Sequence, residues 1–412
     1  MINSIQNIKF NNYNFEKTTI KNKTNFQNKN STVLPNYNQI GHLSFLGSKK
    51  EIERAKILSV IRDEKPFSNA GLKGVVYRAN IKGKEVAIKV GRNENFDFSN
   101  EAKILSRVPK DFSQSQQLID YFKDPITNCD ILVSTFVEGK KGILSSREDF
   151  DGLLSNLFIL DKNGILHGDL NMGNFLFTDN GINLIDYGEG SLFEIGETYT
   201  EMYPNFIAKS NVINLEQNGI PDFIQKWQEN GIEPKKAFEN YLIAKGNYYK
   251  KHSEFLKENR ADNKTINFEE NYAKVLENPS DKVIKNEILR MDVLCTFEQS
   301  DTAVNYTKIP NAAIRNWNLT ISKVKFMKEN IENELKNPNL NNDERVYFNY
   351  QKEIANCLLK NFSDWGNSTI NWILGSFEKD EKDLSEHELA FRKNKNKNME
   401  NPPNLYSIIF SN

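Results

Sequence analysis

An Asp with an Asn five positions on, then a second Asp before a Gly across a tight hairpin, constrains this chain more than any other feature. The stretch is His167-Gly168-Asp169-Leu170-Asn171-Met172-Gly173-Asn174, followed by Ile185-Asp186-Tyr187-Gly188. Between them, Phe175-Leu176-Phe177 and Ile182 to Ile185 flank Thr178-Asp179-Asn180-Gly181. Asn-Gly between two apolar runs is among the strongest short hairpin signals. Two carboxylates and a carboxamide at this spacing offer one proton acceptor and a pair of hard oxygen donors, a set that suits Mg²⁺.

Upstream, in order, lie a glycine turn, a strand ending in Lys and a helix carrying Glu. The turn is Asn69-Ala70-Gly71-Leu72-Lys73-Gly74-Val75-Val76-Tyr77-Arg78-Ala79, where Gly71 and Gly74 carry no Cβ and let the backbone bend tightly. Taken alone, such a hairpin more often holds no ligand. A Lys82-Gly83-Lys84 turn leads into Val86-Ala87-Ile88-Lys89-Val90, which reads as the second strand of a hairpin. An ammonium at Lys89 either reaches water from the strand edge or is paired inside. Glu101, in the predicted helix around Phe98 to Val108, is the natural partner. Phe150, Leu153, Leu154, Leu157 and Phe158 recur with helical spacing and predict a helix over 149–163.

The glycine turn, Lys, Glu, HGD loop, hairpin and DYG, taken in that order, resemble the protein kinase-like superfamily over roughly residues 60–200. The resemblance implies an α+β, bilobal fold: a small β-rich N-lobe and a helical C-lobe, extended by further helices. It also implies ATP and Mg²⁺, with Mn²⁺ as an alternative. Lys89 would match the lysine on the α/β-phosphates and Glu101 its helix partner. Gly71, Gly74, Val76 and Ala87 would cover the nucleotide, and Ser134, Thr135, Phe136 and Val137 would form the hinge. Asp169 would be the catalytic Asp, and Asn174 and Asp186 the metal ligands. His167 reads as a packed loop residue and not as a base.

Three departures qualify the resemblance. Asn69 stands where a first glycine is usual, Gly168 replaces the Arg before the catalytic Asp, and no Ala-Pro-Glu follows Gly188. Without that Arg, no guanidinium reads a phosphorylated activation loop. The chain is most similar in this respect to minimal secreted bacterial effector kinases and to RIO-type and lipopolysaccharide kinases. The implied activity is phosphorylation of a protein Ser, Thr or Tyr hydroxyl. The alternatives are a small-molecule kinase, acting on an aminoglycoside, sugar or lipid, and a kinase fold reused for nucleotidyl transfer or binding.

Bulk properties bound the rest. Net charge over 412 residues is -1, so no global field points to nucleic acid or to an anionic membrane. No apolar run is long enough to span a bilayer, which argues against stable membrane insertion. Cys129, Cys295 and Cys357 are widely spaced, with no CxxC, which argues against a disulfide framework or zinc site and for a reducing compartment. Residues 1–48 are polar, and the first fifty contain one acidic side chain, Glu16. They read as a disordered tail or as an export address, with the protein soluble in a bacterial cytoplasm before delivery to a host cell. Residues 49–260 read as the kinase-like domain and 261–412 as a helical region able to bind a host activator. The Lys/Glu-rich faces beyond 210 read as solvated surface, and Trp365 and Trp372 as core anchors. The acidic stretch Asp380 to Glu388 lies far along the chain and is interrupted by lysine, which argues against an acceptor pocket for a small molecule, and Arg392 to Lys397 form a small basic run.

Overall fold

The computed structural model describes residues 49–69, 71, 73–193, 210–302, 310–375 and 405–410, with side chains at 298–302, 310–314 and 361–375 left aside. The polar N-terminal segment, residues 380–388 and 392–397, and the Trp365 and Trp372 side chains therefore lie outside the described residues.

The chain from Lys49 builds a helix, α1 (Lys49–Asp63), and then two antiparallel strands, β1 (Gly74–Ile81) and β2 (Lys84–Gly91). Lys82 and Gly83 both take positive φ, 55° and 76°, the mirror-image turn that matches strand twist in a two-residue hairpin. Helix α2 (Ser99–Arg107) follows, then β3 (Leu118–Lys123) and β4 (Asp130–Thr135), which complete a sheet in the order β1-β2-β4-β3.

Strand alternation divides the sheet residues between two faces. Val76 pairs with Lys89 and Arg78 with Ala87, while Ala87 pairs with Ser134 and Lys89 with Leu132. These residues share one face. Tyr77, Ala79, Val86, Ile88, Ile131 and Val133 occupy the other, where they form an apolar cluster with Ile57 of α1. Arg54 of α1 fastens this face by donating to Asp120 of β3 at 2.7 Å.

Helix α3 (Arg147–Lys162) begins at a capping box: Asp149 N–H donates to Ser146 Oγ, and Ser146 N–H to the Asp149 carboxylate. Phe150, Leu153, Leu154, Leu157 and Leu160 form its buried face. After β5 (Ile165–Leu166) come β6 (Phe175–Thr178) and β7 (Gly181–Leu184), joined by a turn in which Gly181 has φ +104°. A short β8 (Ser191–Leu192) returns to β5.

The rest is helical. α4 (Asn211–Asn214) runs through a π-helical turn (Leu215–Gly219) into α5 (Ile220–Glu229), and α6 (Pro234–Glu258), α7 (Asn263–Glu277), α8 (Asp281–Thr302), α9 (Pro310–Leu335) and α10 (Asn342–Gly375) follow. α11 (Leu405–Phe410) packs back on this body. One apolar core runs from Phe98, the residue that precedes α2, through α3 and the helices to Ile409. A small antiparallel lobe and a large helical lobe thus form the bilobal, kinase-like architecture.

One expectation fails here. The charged helical faces beyond 210 are not all solvated: Glu216, Lys245 and Glu287 are fully buried and Arg290 nearly so. Lys245 Nζ donates to Glu216 at 2.6 Å and to Glu287 at 2.9 Å, and Arg290 Nη2 to the same two at 2.5 and 3.1 Å. Charges at helical spacing read as a wet surface until a second helix brings their counter-charges.

Candidate active site

Lys89 stands on the sheet face that turns from α1 toward the helical lobe. Its Nζ donates to Glu101 Oε2 at 2.8 Å and to Asp186 Oδ1 at 2.9 Å. Glu101 is placed by α2, whose Ala102, Ile104 and Leu105 are buried and fix the helix rotation. Burial alone would lower the Lys89 ammonium; Glu101 and Asp186 outweigh it and hold the group above its usual range. Burial raises the Glu101 carboxyl, opposed by Lys89, while for Asp186 the pull of Lys89 exceeds the burial cost and lowers the group. We read the trio as a lysine cation shared by two carboxylates, because Lys89 bonds to both.

Asp169 is oriented by its own loop. Asn171 Nδ2 donates to Asp169 Oδ1 at 2.7 Å, and Asn174 Nδ2 to Asp169 Oδ2 at 3.0 Å and to its carbonyl at 2.7 Å. Asn171 Oδ1 also accepts from Gly173 N–H, which closes the short 3₁₀ turn Met172–Asn174. Gly168 has φ +82°, and a Cβ there would lie 2.0 Å from the Glu189 carbonyl oxygen. No arginine fits at that position in this backbone.

The loop backbone is held from α4. Asn211 Oδ1 accepts from His167 N–H at 2.9 Å, and its Nδ2 donates to Asp161 and to the Ile165 carbonyl. One helical turn on, Asn214 Oδ1 accepts from Leu170 N–H and its Nδ2 donates to the Gly168 carbonyl. His167 is fully buried, with Nε2 3.1 Å from the Ile185 carbonyl and its ring 4.5 Å from that of Tyr187. Burial pushes the imidazole down to about 4 against the opposing charges of Asp169 and Asp186, so it is neutral near pH 7.

The two halves meet through the hairpin. Ile185 N–H donates to the Asn174 carbonyl at 3.1 Å, which sets Asp186 beside Asn174. Asp186 is a non-glycine residue at φ +62°, and its N–H donates to Gln116 Oε1. Tyr187, fully buried, has its hydroxyl 2.5 Å from Ser115 Oγ. Gly188 packs on the charged trio: a Cβ there would meet Asp186, Glu101 and Lys89.

The remaining expected positions line the same cleft unequally. Val76, Ala87 and Ser134 share the face of Lys89. Thr135, opposite Val86, does not; its hydroxyl accepts from Gln117 N–H on the other face. Phe136 N–H donates to the Glu85 carbonyl, and the ring stacks edge-on with Phe67 and under Arg78, with Val137 next along the connection. Gly71 and Gly74 are required by packing, since a Cβ would lie 2.7 Å from the Gly74 or the Val90 carbonyl oxygen.

Reading the sequence missed Asn171, Asn211, Asn214, Ser115, Gln116 and Arg92. Asn171 lies within the quoted motif, and its signal was a second carboxamide beside Asp169. The others come from other elements, and no local spacing announces them.

Lys89, Glu101 and Asp186 sum to one excess negative charge, and Asp169 adds another. A divalent cation fits that imbalance, and Asn174 Oδ1 and the Asp186 carboxylate are the oxygens that could hold it. Among the described residues no cluster of three or more His, Cys, Asp or Glu could hold a metal alone.

No family model matches the chain, and neither does any curated protein. Among solved structures it is similar to the kinase PK-1 of Cydia pomonella Granulovirus, at 17% identity over 35% of this chain, with a TM-score of 0.27. The match spans 60% of that viral chain. No helix among the described residues is long and apolar enough to cross a membrane.

Proposed function

We propose that this chain transfers the γ-phosphoryl group of ATP to a protein Ser, Thr or Tyr hydroxyl. One observation carries the reading: a continuous bonded path joins Glu101, Lys89, Asp186, Ile185, Asn174 and Asp169 in a single cleft. Lys89, braced by Glu101, places the α/β-phosphates. Asn174 and Asp186 would hold Mg²⁺, which would neutralise charge on the phosphates when bound. Asp169, pinned through both carboxylate oxygens by Asn171 and Asn174, orients the acceptor hydroxyl and receives its proton. The acceptor oxygen bonds to the γ-phosphorus while the bond to the β-phosphate oxygen breaks, leaving ADP. Such chemistry depends mainly on positioning and electrostatics. Gly74-x-Val76-Tyr77-x-Ala79 together with Val-Ala-Ile-Lys resembles protein kinases more than antibiotic kinases, which supports a protein acceptor over a small one. Delivery to a host cell through residues 1–48, and binding of an activator by the helical region, extend this proposal.

The test is incubation with γ-labelled and, separately, α-labelled ATP against cell lysate and a panel of sugars and small alcohols. Label on protein from the γ position alone supports the proposal; label on a small acceptor, or α-label on protein, replaces it with small-molecule phosphorylation or nucleotidylation. Asp169→Asn should lower turnover by about 10²–10⁴-fold and leave nucleotide affinity within about twofold. Retained turnover would remove Asp169 from its role.

A further inference from the structure

Lys73 lies between Gly71 and Gly74, and the backbone around it is bolted in place. Ser68 and Val76 exchange backbone hydrogen bonds across the base of the turn, at 3.0 and 2.9 Å. Arg92 reaches back from the end of β2: its guanidinium donates to the carbonyls of Asn69 and Gly71, and its N–H to the carbonyl of Lys73. With both glycines also filled by packing, the position of Lys73 follows from the turn rather than from chance.

Its side chain crosses the mouth of the cleft. Lys73 Nζ donates to Glu189 Oε1 at 2.6 Å, joining the small lobe to the residue just after Asp186-Tyr187-Gly188. Both side chains remain about two-fifths exposed, so the pair is open to exchange. The charge of Lys73 also reaches inward, where together with Lys89 it opposes the burial that raises Glu101. Two cations, one deep and one at the rim, therefore face a site whose carboxylates outnumber its deep lysine.

We propose that Lys73 is a second phosphate-binding residue, and that Glu189 holds it at the cleft mouth and gives it up to a nucleoside triphosphate. This rests on the nucleotide reading of the cleft. In the free protein Glu189 competes with the phosphates for one ammonium; in the bound form Lys73 turns to the terminal phosphates. The pair thus sets nucleotide affinity, and removing one partner or the other has opposite effects.

Calorimetric titration of the full chain with Mg²⁺-ATP and with adenosine separates the outcomes. Lys73→Ala should weaken ATP about five- to tenfold and leave adenosine unchanged, because only the phosphates lose a charged donor. Glu189→Gln should tighten ATP roughly two- to fivefold, the range open to release of an exposed ion pair. If both variants weaken ATP, if Glu189→Gln leaves it unchanged, or if adenosine suffers as much as ATP in Lys73→Ala, the pair is only a lobe-to-lobe brace and the assignment is overturned, with the kinase reading intact. Wild-type protein that binds neither ligand overturns both.

Discussion

In the cleft, one ammonium, Lys89, serves two carboxylates, Glu101 and Asp186, and Asp186 is half exposed. Among the helices, Lys245 and Arg290 face Glu216 and Glu287, two charges against two, and three of the four side chains show no exposure at all. Tyr241 donates to Glu216, and Tyr272 and Tyr347 donate to Glu287 at 2.6 Å. The helical cluster is balanced and sealed, while the cleft cluster is unbalanced and open. Buried charge is tolerated where counter-charges cancel it; Glu216 takes all three of its donors on Oε1, and its Oε2 is buried without a hydrogen-bond partner. Charge left in excess at a solvent-facing cleft calls for a ligand of opposite sign, and that excess is what makes the cleft the candidate site.

The same change made in both clusters should separate them most widely. Glu287→Gln leaves two buried cations with one carboxylate, and we expect a loss of about 3–5 kcal/mol in urea unfolding. Burial alone would raise the Glu287 carboxyl, and Arg290 and Lys245 pull it down to about 2, so the fold does depend on its charge. Asp186→Asn should change stability by no more than about 1 kcal/mol, because the contact it loses to Lys89 is screened by water. Its cost falls on function: Mg²⁺-dependent ATP binding should weaken, and an unchanged affinity would refute the metal assignment. Equal stability losses in the two variants would break the contrast.

Two buried histidines sharpen it at the next level of effect. His167, at the cleft wall, is pushed by burial down to about 4. Folded protein therefore binds fewer protons than unfolded chain between pH 4 and about 6.5, and stability falls as pH drops through that window. The loss is about 3 kcal/mol. His252, in α6, has Nδ1 2.8 Å from both oxygens of Glu269, and that charge outweighs burial and raises it. Its contribution is fully present below about pH 6.5 and is lost as pH rises through the folded value. Replacing His167 by Gln should flatten the acid side of the unfolding profile; replacing His252 by Gln should flatten the neutral-to-basic side. Asp161, raised by burial to about 6, works against His167 in the acid window, so the comparison is of variant with wild type.

How much of this was legible in the sequence depended on how local the cause was. The helix over 147–162 and the hairpin at 175–184 came from spacing and an Asn-Gly turn, because periodicity and turn chemistry act over a few residues. Lys89, Glu101, Asn174 and Asp186 were readable because each lies in a short pattern of restricted chemistry. Asn211 and Asn214 were not: they hold backbone groups 44 to 46 residues earlier, and an asparagine on a helix has no spacing that tells of it. Strand β3 escaped because Asp120 interrupts its apolar pattern to meet Arg54. Glu216, Lys245, Glu287 and Arg290 read as surface because burial of charge is decided by partners on other helices.

The smallest test asks whether the sealed cluster is as fully satisfied as its charge balance suggests. Tyr347 donates to Glu287 Oε1, which also accepts from Tyr272, while Oε2 accepts from Lys245 and Arg290. Glu287 therefore keeps three donors in Tyr347→Phe, and the direct loss is one hydrogen bond, about 1 kcal/mol. The Tyr347 hydroxyl is also the acceptor for Asn286 Nδ2 at 2.8 Å, and Asn286 Oδ1 is already buried without a partner. Phenylalanine would strip that amide of its hydrogen bond as well, which brings the expected loss to about 2–3 kcal/mol in thermal or urea unfolding. Tyr347→Phe with Asn286→Leu should recover part of it, because an apolar group then replaces the stranded amide. Nucleotide affinity should not move in either variant. A shift in affinity would show that the sealed cluster reaches the cleft through Glu216 and Asn214, two positions apart on one helical run, and that its role is more than structural.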